Sequence, residues 1–64
     1  MPNKRTLKGI RIDLGLSQKE MGSKLGLSES AYRKKESYET RLLAEELLKI
    51  ADISGLEPRE IRVA

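Results

Sequence analysis

The chain lacks several side chains on which common kinds of site depend. It has no cysteine, histidine, tryptophan or phenylalanine, and its aromatic residues are Tyr32 and Tyr38 alone. Without cysteine and histidine it can form no disulfide, no thiolate or imidazole zinc site and no catalytic pair built on histidine. Two tyrosines also argue against a surface that stacks single-stranded bases. We therefore expect no metal, no cofactor and no enzyme activity.

A long hydrophobic run is missing as well. Crossing a bilayer takes about 20 consecutive apolar residues, and no segment of this 64-residue chain approaches that length. The basic N-terminus is followed by no apolar stretch of the kind that marks a secretory signal. We expect one domain over residues 1–64, no contact with a membrane, and a location in the cytoplasm.

The charge is divided unevenly along the chain. Residues 1–41 contain ten Lys or Arg and five Asp or Glu, whereas residues 42–64 contain three and five. The first segment is therefore net +5 and the second net −2, within a total of +3. Such polarity indicates that the first segment meets a polyanion. Ordinary solvated surface is the alternative interpretation.

Two nearly identical tetrads, each Leu-Gly-Leu-Ser, occupy residues 14–17 and 25–28. In each, the glycine fits the left-handed position just past a helix, and the serine fits the N-cap of the next one. Residues 17–20 read Ser-Gln-Lys-Glu, which is a complete capping box. The tetrads therefore predict two places where one helix ends and another begins.

Apolar residues between these marks recur with helical spacing, as Leu7, Ile10 and Leu14 do, and again Leu43 and Leu47. No stretch alternates long enough to predict a strand. The fold class is therefore all-α. The spacing predicts five short helices, over about residues 4–14, 18–25, 29–36, 43–54 and 58–62.

The second and third helices, over about residues 17–36, are joined by a short turn that contains Gly26. Two short helices joined in this way are typical of a helix-turn-helix. The alternative is that any small helical bundle needs such corners. The corner by itself therefore does not decide between a binding motif and a structural turn.

Further motifs favour the first interpretation, and they extend the pattern from Leu7 to Ile61. They are Leu16-Ser17-Gln18-Lys19-Glu20-Met21, Leu25-Gly26-Leu27-Ser28, Tyr32, Glu36, Leu48-Lys49-Ile50-Ala51 and Gly55-Leu56-Glu57. In these residues the chain resembles the phage-repressor/Cro-like helix-turn-helix family of the XRE type. The resemblance implies a compact lambda-repressor-like domain that binds double-stranded DNA. It also implies a homodimer on an inverted-repeat operator, and transcriptional repression in a bacterium, a phage or another mobile element.

The resemblance also implies which residues meet DNA. In this family the third helix enters the major groove, whose base edges it reads. The implied base contacts are Glu29, Ser30, Arg33 and Lys34. Arg33 is suited to guanine, and the alternatives for it are a phosphate contact or ordinary surface. The implied phosphate contacts are Gln18, Lys19, Tyr38 and Arg41.

The C-terminal part, about residues 55–64, is the expected dimerisation region. Its candidate interface residues are Leu56, Pro58, Ile61 and Val63. For Leu56 and Ile61 the alternative is that they close the core of their own chain. The acidic excess here keeps this end away from DNA.

Three residues depart from the family pattern. Lys35 stands where many members have an apolar residue, and we expect its stem to cover apolar surface while its amine reaches water. Tyr38 stands where glycine often follows the third helix, and Leu43 where Ser or Thr often caps the fourth.

A second function class uses the same fold. The alternative interpretation is a protein-interaction module, such as an antitoxin or an accessory factor of a mobile element. That hypothesis predicts no sequence preference for duplex DNA and an apolar patch that needs a partner. An RNA-binding role is disfavoured because aromatic residues are scarce.

Overall fold

The computed structural model describes residues 4–64, so the first three residues of the basic N-terminal segment lie outside it. Within this range the chain forms helices and no strand, which confirms the all-α prediction. The four helices are α1 (Leu7–Asp13), α2 (Gln18–Lys24), α3 (Glu29–Glu36) and α4 (Ala44–Ser54).

The prediction of a fifth α-helix is wrong. The chain makes a single 3₁₀ turn over Pro58–Glu60, and Ile61 is already extended. Ile61 forms a parallel bridge with Arg5: the Arg5 N–H donates to the Glu60 carbonyl at 2.7 Å, and the Arg62 N–H donates to the Arg5 carbonyl at 2.8 Å. The two ends of the chain therefore use backbone groups that a longer helix would have needed.

The same bridge explains why α1 begins later in the chain than the spacing predicts, which is about Lys4. Because Arg5 is paired with Ile61, it is not helical, and Thr6 becomes the N-cap. The Thr6 hydroxyl accepts a hydrogen bond from the Gly9 N–H at 3.1 Å. Helix α1 therefore begins at Leu7.

Leu43 does not belong to the buried stripe of α4 as its spacing suggested. It is the extended N-cap residue of that helix, and its side chain is exposed. The core position is taken instead by Leu42, which is buried. The Leu43 N–H donates to the Glu46 carboxylate at 2.8 Å. Glu46, inside the helix, therefore satisfies the backbone N–H of the N-cap residue, although Leu43 has no side-chain oxygen to cap the helix.

The predicted starts of α2 and α3 are confirmed. The Ser17 hydroxyl accepts from the Glu20 N–H at 3.0 Å, and the Glu20 carboxylate accepts from the Ser17 N–H at 2.8 Å. These hydrogen bonds favour the charged form and lower the pKa of Glu20. Ser28 caps α3 in the same way, by accepting from the Ala31 N–H at 3.1 Å.

The core draws on every helix and on the segment after the 3₁₀ turn. Tyr32, at its centre, is fully buried, and its hydroxyl has no hydrogen-bond partner within residues 4–64. Burial and the nearby Glu36 carboxylate raise the pKa of Tyr32. The buried apolar set is Leu7, Ile10, Met21, Leu25, Tyr32, Leu42, Ile50, Ala51 and Ile61.

A buried ion pair joins α1 to the end of α3. The Arg11 guanidinium donates from Nε and Nη2 to the two Glu36 carboxylate oxygens, at 2.9 and 3.2 Å. Its Nη1 donates to the Leu16 carbonyl at 2.9 Å. Only 14% of the Arg11 side chain and 6% of the Glu36 side chain are exposed. The Glu36 hydrogen bonds raise the pKa of Arg11, so the pair holds its charges inside the fold.

We predict that Arg11→Met lowers the free energy of unfolding by about 3–5 kcal/mol, because it leaves the Glu36 carboxylate buried without a cation. Urea unfolding followed by circular dichroism measures the change. Glu29→Gln, which removes the exposed pair with Arg33, should cost no more than about 0.5 kcal/mol. The double variant R11M/E36L should regain most of the lost stability; a double variant as unstable as Arg11→Met would contradict a charge effect.

Candidate nucleic-acid interface

Helices α2 and α3 pack against each other across a tight turn. Gly26 in this turn has a φ of +73°, a left-handed conformation that favours glycine. A Cβ on Gly22 of α2 would lie 3.1 Å from the Tyr32 Cβ of α3 and 3.1 Å from the Leu27 carbonyl oxygen. The absence of a side chain at Gly22 therefore allows the two helices their close approach.

The packing of α3 leaves one face to solvent. Its buried side chains, Tyr32 and Glu36, lie one turn apart and point inward. All four residues expected to meet bases are exposed. Ser30 and Lys34 lie opposite the buried pair, Arg33 lies to one side, and Glu29 stands in the first turn of the helix.

Arg33 connects this face to the start of α2. Its Nη2 lies 3.1 Å from a Glu29 carboxylate oxygen, and its Nε is 3.5 Å from the Gln18 amide oxygen, a long and weak hydrogen bond. The Arg33 side chain is 60% exposed. An exposed pair four residues apart is worth about 0.3–0.5 kcal/mol, so guanine can displace Glu29 at little cost. Gln18 keeps its two amide N–H groups for another acceptor.

A cleft of about 160 Å³ opens between α1 and the α2–α3 unit. It adjoins the exposed face of α3, because Arg33 and Gln18 form part of its wall. Its other lining residues are Lys8, Glu36 and Ser37. The sequence analysis did not single out Lys8. The available signal was its position three residues before Arg11, on the same side of α1.

The flanking residues expected to meet phosphates are placed differently from one another. Lys19 is exposed on α2 beside Gln18. Arg41 is exposed in the segment between α3 and α4, and its carbonyl accepts from the Lys35 amine at 3.1 Å. Gln18 is half-buried, and the contact of Gln18, Lys19 and Arg41 with phosphate stays a prediction.

Tyr38 has partners inside the fold. Its hydroxyl donates to the Arg62 carbonyl at 2.9 Å and accepts from the Leu7 N–H at 3.3 Å. The Arg62 guanidinium lies 4.7 Å from the centre of its ring. Its φ of +63° is the left-handed conformation that glycine usually supplies at this place. Tyr38 thus accepts a strained backbone and ties the start of α1 to the C-terminal segment.

The exposed face of α3 and the cleft beside it belong to a motif with a known family model. The XRE (Cro/C1) type of helix-turn-helix model matches residues 7–61, most of the chain. The chain belongs to this family. The match confirms the resemblance, and it makes the protein a DNA-binding transcriptional regulator of the XRE type. Neither a curated protein nor a solved structure matches the chain.

The family is one of DNA-binding domains rather than of enzymes. Across residues 4–64 of this regulator, every helix is too short or too polar to cross a membrane. In the same part of the chain, no three His, Cys, Asp or Glu side chains converge as metal ligands would.

The expectation that the Lys35 amine of this regulator reaches water is wrong. Lys35 Nζ lies 2.8 Å from a Glu46 carboxylate oxygen, and 12% and 7% of the two side chains are exposed. The reason is the cap of α4: because Glu46 accepts from the Leu43 N–H, its carboxylate faces α3. Of the three consecutive cations, Arg33 and Lys34 alone are left for a ligand.

The predicted dimer residues divide into two groups. Ile61 is fully buried in its own chain and Leu56 packs against the same core, which favours the core interpretation for these two residues. Val63 is 41% exposed and Pro58 is half-buried. The remaining large apolar side chains exposed among residues 4–64 are Ile12, Leu43, Leu48 and Ile53.

Lys35→Met is expected to destabilise the XRE-type domain by about 3–5 kcal/mol, because the buried Glu46 carboxylate loses its cation. Adding Glu46→Gln should recover more than half of the loss, since a neutral amide oxygen still accepts from the Leu43 N–H. Chemical denaturation of the single and double variants measures both effects. Lys34→Met, a change at an exposed neighbour, is the matched control and should stay within about 0.5 kcal/mol. Equal losses at positions 34 and 35 would refute the pairing.

Proposed function

We propose that the chain represses transcription by binding an inverted-repeat operator as a homodimer, with α3 of each copy in the major groove. The observation that carries this proposal is the exposed face of α3, which presents Arg33 and Lys34 and on which Arg33 lies 3.5 Å from Gln18 at the start of α2. The major groove of B-DNA admits one α-helix, and residues near the start of that helix meet the base edges.

Base recognition rests on four side chains of different chemistry. Arg33 presents a planar fork that matches the O6 and N7 acceptors of guanine, and Lys34 supplies a second cation to guanine or to phosphate. Ser30 donates or accepts. Glu29, once Arg33 leaves it for guanine, can accept from the amino group of a cytosine. The Glu29–Arg33 pair of the free protein therefore exchanges its partners for two bases.

Phosphate contacts position α3 in the groove. Gln18 is the strongest candidate for a phosphate contact. Its amide oxygen faces Arg33, so its two amide N–H groups can donate to a phosphate oxygen. Lys19, beside Gln18 on α2, and Arg41, between α3 and α4, add exposed positive charge. We assign Tyr38 to the fold instead, since its hydroxyl already has two partners.

Dimerisation supplies the affinity that one small domain lacks. Of the four candidate interface residues, Val63 is exposed and Pro58 is half-buried, whereas Ile61 lies in the core and Leu56 packs against it. The net charge of −2 over residues 42–64 disfavours contact between this segment and DNA phosphates. As a bacterial regulator, the protein acts in the cytoplasm, on the nucleoid.

Arg33→Ala should relax base preference at one position of the bound sequence, at a cost of about 1–3 kcal/mol. Gln18→Ala should instead weaken binding to all duplexes alike, because a phosphate contact carries no base information. Binding to a panel of singly substituted duplexes separates the two patterns. Arg59→Ala, at an exposed arginine of the 3₁₀ turn, is the charge-matched control for Arg33. If neither Arg33→Ala nor Gln18→Ala alters duplex binding, α3 does not read the groove.

Selection from random duplexes tests the operator and the dimer together. The wild-type chain should enrich an inverted repeat whose half-sites lie about 10–10.5 base pairs apart, or a multiple of that distance. Val63→Asp should keep the half-site preference but lose the advantage of the repeat, because a carboxylate would be buried between two copies. Enrichment of single half-sites by the wild type would contradict the dimer. No enrichment at all would favour the protein-interaction module.

A further inference from the structure

We infer that the cleft between α1 and the helix-turn-helix seats a phosphate of the DNA backbone, and that Lys8 of α1 is its cation. This inference rests on the proposed function, since the phosphate is one that flanks the bases read by α3. It adds a contact from a helix outside the helix-turn-helix itself.

The position of Lys8 follows from the buried ion pair. Lys8 precedes Arg11 by three residues, so the two side chains leave the same side of α1 one turn apart. Arg11 is held against Glu36 at the end of α3, with donor–acceptor distances of 2.9 and 3.2 Å. Lys8 is thereby brought to the end of α3, where it lines the cleft together with Ser37.

The charge of the cleft favours an anion. Glu36 is its one acidic lining residue, and both oxygens of that carboxylate are engaged by Arg11. Arg33 also lines the cleft, and it pairs only weakly with the exposed Glu29. Within residues 4–64, Lys8 lies in no ion pair, although Arg11 and Lys35 each have a buried carboxylate partner. An exposed cation without a partner is the kind that a phosphate can take up without breaking a contact.

The neutral lining residues suit the same ligand. Gln18 has amide N–H groups to donate, and it stands at the mouth where α2 begins. The cleft is open to solvent and has a volume of about 160 Å³, which admits a phosphate group. Lys8 and Gln18 therefore offer donors to one phosphate from α1 and α2, while Arg33 beside them is left to read guanine.

The test compares Lys8→Gln with Lys49→Gln, which removes the same charge from an exposed position on α4 outside the cleft. Fluorescence anisotropy with a labelled random-sequence duplex, over about 50–200 mM salt, gives the dependence of log Kobs on log salt. Lys8→Gln should reduce the steepness of this slope by about 0.9, the value for one phosphate, and Lys49→Gln should leave it unchanged. Lys8→Arg should restore it, because the charge returns.

Each result has a separate meaning. Equal slopes for the wild type and Lys8→Gln, or equal losses for Lys8→Gln and Lys49→Gln, would overturn the phosphate seat. A wild-type chain whose duplex binding does not vary with salt would overturn the proposed function instead. The urea midpoint of Lys8→Gln should match that of the wild type, since its side chain is exposed. Base preference on singly substituted duplexes should also be unchanged, because Lys8 reads no base.

Discussion

The buried Arg11–Glu36 pair is the interaction on which the candidate DNA-binding surface depends. A carboxylate removed from water is tolerated only when nearly all of its acceptor positions are satisfied, and Arg11 satisfies both oxygens. The third bond of the guanidinium goes to the Leu16 carbonyl, in the turn before α2. The Arg11 side chain therefore holds three segments together: α1, the end of α3, and the turn that precedes Gln18. Without this pair, the position of α1 relative to α3 is not fixed, and the cleft between them loses its shape.

Two further polar tethers compensate for the small core. The Lys35–Glu46 pair fastens α3 to the first turn of α4, and the Tyr38 hydroxyl joins the start of α1 to the Arg62 carbonyl. A chain of 64 residues buries a smaller share of its surface than a larger domain does. Polar groups that are buried and paired then help to select one arrangement of short helices, at the cost of removing charges from water.

These tethers also sort the positive charges of residues 1–41. Arg11 and Lys35 are neutralised inside the fold, whereas Lys8 and Lys34 remain without a carboxylate partner in the described part of the chain. Arg33 is only partly neutralised, because its partner Glu29 is exposed and the ion pair between them is weak. The pairing therefore leaves two cations, Lys8 on α1 and Lys34 on α3, exposed and without a carboxylate partner beside or near the cleft.

The sequence by itself determined the features that depend on residues close together in the chain. The bounds of α3, the Ser17 capping box and the left-handed Gly26 could all be predicted, because each rests on hydrogen bonds or sterics within a few residues. The family motifs are local in the same way, so the helix-turn-helix and the exposed residues of α3 followed from them.

The tertiary structure alone decided the features that depend on contacts between residues far apart in the chain. Ile61 is extended because the other end of the chain pairs with it, and Lys35 is buried because the cap of α4 directs Glu46 towards it. Lys8 reaches the α3 side of the molecule only because Arg11 docks on Glu36. The order of residues shows that such groups exist, but the packing of helices decides which of them meet.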